Sequence, residues 1–206
     1  GIRILRASSP VKESPHCNKI LPFGTQHGTD YTIVTDTDVY FVADPSPYLL
    51  SDRYRAAPNN HCNPPGNVFE RVLQASGLGR PYRPGLSLFG QWDGRRETHI
   101  NNISGGIVIA PRKKSARLAQ AWTRWASWLI DNRGLMGPRD LHIDQVAFAL
   151  AMEDIGEDVE FLPPQCNMIL EALPVMSTPI AFHLTTAHVP HFAERFNADR
   201  TIAADG

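Results

Sequence analysis

Two carboxylates stand one residue apart in Tyr31-Thr32-Ile33-Val34-Thr35-Asp36-Thr37-Asp38-Val39-Tyr40-Phe41-Val42, a stretch that otherwise favours extended, apolar backbone. Like charges this close in such surroundings are unfavourable unless a cation or protons neutralise them, and their hard oxygen atoms suit Mg²⁺ or Mn²⁺. Open α/β sheets bind ligands at the carboxyl ends of their strands, where Asp36 falls, and a cation held there can bridge a diphosphate. The competing account of Asp36 and Asp38 is a solvated turn between two strands.

Positioning this pair requires a sheet. Short runs rich in Val, Ile and aromatic residues alternate with helical patterns, which predicts an α/β fold with a mostly parallel sheet flanked by helices. Strands are expected near 2–6, 31–35, 39–42, 104–109, 159–162 and 180–184. Over 115–132 the residues Ala119, Trp122, Trp125, Ala126 and Leu129 form one apolar helical stripe, so Trp122, Trp125 and Trp128 read as packing residues. A second helix is expected over 141–155, stopped by Gly156, and a third over 67–76, ending at Gly77. Pro58, Pro64, Pro65, Gly66, Pro81, Pro84 and Gly85 mark long surface loops between the acidic pair and the strand near 104.

The 206 residues suit a single domain spanning 1–206, and 20 Lys and Arg against 21 Asp and Glu give no general drive toward nucleic acid or an anionic membrane. Specificity must come from a local site. Cys17, Cys62 and Cys166 cannot all pair and lack zinc-site spacing, which favours a reducing compartment and a soluble, cytoplasmic protein. No apolar run reaches transmembrane length. The chain begins at Gly1 without Met, so cropping from a longer protein is expected.

Beyond the acidic pair, a series of segments resembles the glycosyltransferases of GT-A fold, family-8-like. Asn18-Lys19-Ile20-Leu21 and Asp30 through Phe41 resemble their helix, strand and DxD segment. Asn101-Asn102-Ile103-Ser104-Gly105-Gly106-Ile107-Val108-Ile109 is similar to their N-S-G strand, and His142-Ile143-Asp144-Gln145-Val146-Ala147-Phe148 to their Asp-Gln helix. Leu162-Pro163-Pro164-Gln165-Cys166-Asn167 and Phe182-His183 complete the order, so the resemblance covers roughly residues 16 to 190. Two departures stand out. The nucleotide-binding strand and helix that usually open the fold are missing upstream, and the usual His-x-x-Gly-x-x-Lys tail is replaced by His183-Leu184-Thr185-Thr186-Ala187-His188.

The resemblance implies a transferase that moves a sugar from a nucleotide-sugar donor to an acceptor hydroxyl with Mn²⁺ or Mg²⁺. Asp38 then binds the metal, Asp36 reaches the metal or the donor ribose, and His183 is a third ligand or a core histidine at a strand end. Ser104, Gly105 and Gly106 let backbone approach a sugar or form a bulge. Asn102 binds sugar hydroxyls or serves a turn, and Lys19 reaches donor phosphates or is solvated. Asp144 and Gln145 take the catalytic place, against plain helix-end stabilisation for Asp144, and lean the outcome toward retention. Trp92 and Asp93 form an acceptor platform or pack their loop. The rival readings are an Mg²⁺-dependent phosphatase of haloacid dehalogenase type, which wants Thr or Val where Tyr40 stands, and a non-catalytic carbohydrate-binding relative.

Overall fold

The strand over Ile103–Pro111 is buried along eight of its nine residues, which requires cover on both faces and partners on both edges. In the computed structural model, which describes residues 8–25, 28–88, 96–169 and 178–184, this strand is the middle of the sheet. In chain order the elements are α1 (Leu21–Gly24), β1 (Tyr31–Thr35), β2 (Val39–Phe41), α2 (Ser46–Leu49), β3 (Arg55–Pro58), α3 (Gly66–Ser76), β4 (Pro84–Leu86) and β5 (Glu97–His99). They continue with β6 (Ile103–Pro111), α4 (Arg112–Asp131), α5 (Ile143–Ile155), β7 (Glu160–Phe161) and β8 (Ala181–His183), with 3-10 turns at Pro15–Ile20, Arg133–Leu135, Gly137–His142 and Pro164–Asn167.

The main sheet runs β1-β6-β3-β7, and two small ribbons pair β2 with β8 and β4 with β5. The α/β class and the flanking helices stand, but the sheet is mixed instead of mostly parallel. β6 runs antiparallel to both β1 and β3, and only β3 and β7 are parallel. Alternating runs of strand and helix do not reveal this, because β6 and β1 are joined through a long excursion whose geometry permits either direction.

α4 and α5 pack together over one apolar core, in which Trp122 meets Phe148 edge-on at 5.0 Å between ring centres. Trp122 is fully buried and its indole N–H donates to the Asp144 carbonyl at 2.8 Å, so the packing residue also fixes the start of α5. α5 ends where expected, at Gly156 with φ +76°, a left-handed position that favours glycine. It begins as a 3-10 turn over Gly137–His142 before becoming α-helical at Ile143.

Between Pro58 and Gly85 the helix expected over 67–76 is present as α3, ending at Gly77 with φ +72°, and the surrounding loops are flanked by β3 and β4. Arg55-Ala56-Ala57-Pro58 escapes a strand reading because it has no β-branched residue and ends in proline, yet Ala56 and Ala57 are fully buried against β6. The strand expected over 2–6 lies outside the described residues. All three cysteines are buried thiols. Among the described residues no helix is long and apolar enough to cross a membrane.

Candidate functional site

The β1 ladder runs one step past the strand: the Asp36 amide donates to the Gly106 carbonyl at 3.0 Å, and Val39 N–H returns to Asp36 O at 3.2 Å. The chain therefore turns sharply between β1 and β2 and carries Asp36, Thr37 and Asp38 on that turn. β2 pairs with β8 so that Val39 faces His183, and Leu184 N–H donates to Asp38 O at 2.9 Å. Two backbone contacts thus bring His183 beside the acidic pair from a point far along the chain. Its Nε2 lies 3.4 Å from Asp38 Oδ1 and 4.0 Å from Asp36 Oδ2. One ligand atom from each of the three residues falls within 4.8 Å of the others.

Lys19 enters from the 3-10 turn Pro15–Ile20. Its side chain is only 9% exposed, and its ammonium stands 3.0 Å from Asp36 Oδ1 and 3.2 Å from Asp144 Oδ2, while donating to Gly105 O at 3.2 Å. A side chain on Gly105 would run into that ammonium, and the expected irregularity is also present, since the register of β6 with β3 shifts between the pairs Ala56–Val108 and Ala57–Ser104 that bracket Gly105 and Gly106. Burial pushes the Lys19 pKa down, but Asp144 and Asp36 outweigh it and hold it above the ordinary lysine value. A solvated lysine does none of this.

Asp36 and Asp144 share one ammonium and Asp38 faces the His183 imidazole, so the three carboxylates have one cation among them, a deficit of two charges when the imidazole is neutral. Two carboxylates, one imidazole and that charge deficit fit a hard divalent cation. The group borders a cavity of about 800 Å³ lined also by Gly105, Asp144, Gln145, His142 and His16. Gln145 lines the cavity, and its Oε1 is buried without a hydrogen-bond partner among the described residues.

The remaining residues singled out in the sequence are placed differently. Asn102 is 1% exposed, donates to Thr98 Oγ1 at 2.7 Å and does not line the cavity. Its neighbour Asn101 ties Glu153, Asp158 and the Val159 amide together. Ser104 Oγ accepts from the buried Asn167 amide at 3.0 Å, and Gly106 presses against Asn167 and His183, leaving no room for a side chain. Trp92, Asp93 and the segment after Leu184 lie outside the described residues. Sequence reasoning passed over His142, although its position two residues ahead of Asp144 already placed it at the start of the same helix.

No protein-family model matches the chain, and a search of curated proteins found no match either. Among solved structures the chain is similar to the galactosyltransferase LgtC, determined in complex with donor and acceptor sugar analogs, with a TM-score of 0.50 and 14% identity. The match covers 89% of this chain and 61% of LgtC. The likeness at this identity is one of fold, and it makes the mixed sheet with its flanking helices an α/β domain of GT-A type.

Proposed function

We propose that this chain is a metal-dependent glycosyltransferase, one catalytic domain that moves a sugar from a nucleotide-sugar donor to an acceptor hydroxyl. The convergence of Asp36, Asp38 and His183 on one point of an open cavity carries this reading, with the fold supporting it. Asp38, Asp36 and His183 would hold Mn²⁺ or Mg²⁺. Bound there, the cation stabilises the negative charge that grows on the departing nucleoside diphosphate.

Lys19 holds Asp36 and Asp144 in fixed relation and keeps positive charge at the phosphate side of the cavity. Asp144 is 4% exposed and paired to Lys19, and a carboxylate held this way suits stabilisation of a positive sugar-like transition state better than proton removal. That argument favours retention. Gln145 lines the sugar side of the cavity, Gly105 lets the sugar approach the backbone, and Asn102, Ser104 and Gly106 support the strand beneath. Trp92 and Asp93 are assigned to the acceptor side.

Calorimetric titration with a panel of nucleoside diphosphates, with and without Mn²⁺, tests this reading. Binding of at least one that requires Mn²⁺ is expected. Failure of every one with Mn²⁺ present overturns the assignment.

A further inference from the structure

Two neighbours fix the polarity of a histidine in the cavity wall. The Arg139 guanidinium only donates, and its NH1 lies 2.8 Å from Asn63 Oδ1. The other end of the Asn63 amide, Nδ2, is therefore the donor toward His142 Nε2, 2.6 Å away. His142 Nε2 then carries a lone pair, and the ring proton sits on Nδ1. Burial lowers the His142 pKa against the pull of Asp144, which keeps the ring neutral. Nδ1 has no protein partner among the described residues and is not sealed from solvent, and His142 lines the cavity with Asp144 and Gln145.

We propose that His142 binds the transferred sugar, as a neutral, pre-set Nδ1–H donor to an oxygen lone pair on one of its hydroxyls. This rests on the sugar-transfer reading above. A phosphate calls for charge, which Lys19 provides and an uncharged imidazole does not. A sugar hydroxyl both donates and accepts, so it needs a donor and an acceptor side by side. Asp144, which only accepts, and His142, which only donates toward the cavity, supply that pair from two positions at the start of one helix. The relay from Arg139 through Asn63 holds the ring in the donating tautomer before the sugar arrives, which lowers the cost of ordering it on binding.

Nitrogen-15 NMR of the histidines in the metal-free protein should show His142 protonated at Nδ1 and bare at Nε2; the reverse overturns the inference whatever the ligand. In calorimetry with Mn²⁺, His142→Ala should bind the nucleotide sugar that the wild type prefers roughly 10-fold more weakly, the loss of one hydrogen bond, and bind the matching nucleoside diphosphate unchanged. His142→Asn, whose amide nitrogen overlays Nδ1, should restore most of the loss. Equal binding of the nucleotide sugar by wild type and His142→Ala sinks this inference alone, whereas a wild type that binds no nucleotide sugar sinks the transferase reading with it. Should His142→Ala not fold, the wild-type Nδ1–H resonance decides. It should move on adding Mg²⁺ with the nucleotide sugar and not with the nucleoside diphosphate, and a resonance that stays still overturns the assignment.

Discussion

Helix α5 carries a 4% exposed carboxylate near each end, Asp144 in its first turn and Glu153 toward its last, and the company each keeps differs. Glu153 is met by the Arg83 guanidinium and by Asn101 Nδ2 at 3.1 Å, and Arg83 also reaches Asp158 at 3.0 Å. His99 closes that group from above Glu153. Asp144 shares its single cation, Lys19, with Asp36, and beyond them Asp38 is 43% exposed and faces only the His183 imidazole among the described residues. Equal burial thus accompanies one carboxylate in excess of cations at the Glu153 end, where Glu153 and Asp158 share Arg83, and two in excess at the Asp144 end. The larger deficit and the larger cavity, more than burial, distinguish the end of α5 to which we assign the ligand.

The largest effect that tests the contrast is expected at Asp38. Asp38→Asn keeps the shape and removes a charge, so Mn²⁺ affinity measured by calorimetry should fall at least about 10-fold, the scale of lost ligand-shell support, and sugar transfer should nearly vanish. The metal-free protein should melt at the same temperature or slightly higher, because repulsion with Asp36 is relieved. Unchanged Mn²⁺ affinity would make the open cluster no different in kind from the closed one.

The Asp144 side of this contrast was partly legible in the sequence, the Glu153 side was not, and the illegible part has a physical reason. Asp36 and Asp38 announce themselves because charge inside a β-favouring run is costly, and Asp144 because it opens a helix that is otherwise largely apolar. The partner of Asp144 was not legible: Lys19 lies 125 residues upstream on a short 3-10 turn, where most lysines meet only water. Asn102 reads like a sugar ligand, but its amide N–H is spent on Thr98 and its buried side chain does not line the cavity, since one polar side chain before a strand serves a turn as well as a substrate. β3 was hidden because its strand character comes from burial beside β6 and not from its own residues.

The next effect is at the Glu153 end. Arg83→Leu leaves Glu153 buried without its cation, which should cost about 3 kcal/mol of stability in denaturant unfolding. Mn²⁺ affinity should stay within twofold of wild type. A matching loss of Mn²⁺ binding would show that the two ends of α5 act as one network, and the contrast would have to be abandoned.

The smallest effect concerns His99, 1% exposed between Phe69 and Tyr82. Its Nδ1 accepts from the Asn101 amide at 3.1 Å, so the neutral ring carries its proton on Nε2, 3.3 Å from Glu153 Oε1. Burial, aided by the nearby Arg83, pushes its pKa down to about 4 from the ordinary 6.5. A histidine depressed in the fold contributes stability that is present above pH 6.5, where neither state binds the proton. Below that the unfolded chain takes up a proton the fold refuses, so stability is lost as pH falls toward 4. From pH 7 to pH 5 this one group should remove about 2 kcal/mol, from the conversion of about 1.4 kcal/mol per pKa unit. Denaturant unfolding of wild type and His99→Gln at both pH values isolates it, because a glutamine side chain cannot take up that proton in either state and the variant's loss on acidification should be smaller by that amount. Equal losses in the two proteins would mean that His99 is protonated in the fold near its ordinary pKa, with Glu153 as its counter-ion. The Glu153 cluster would then hold two cations for its two carboxylates, and its difference from the open one would be larger than drawn.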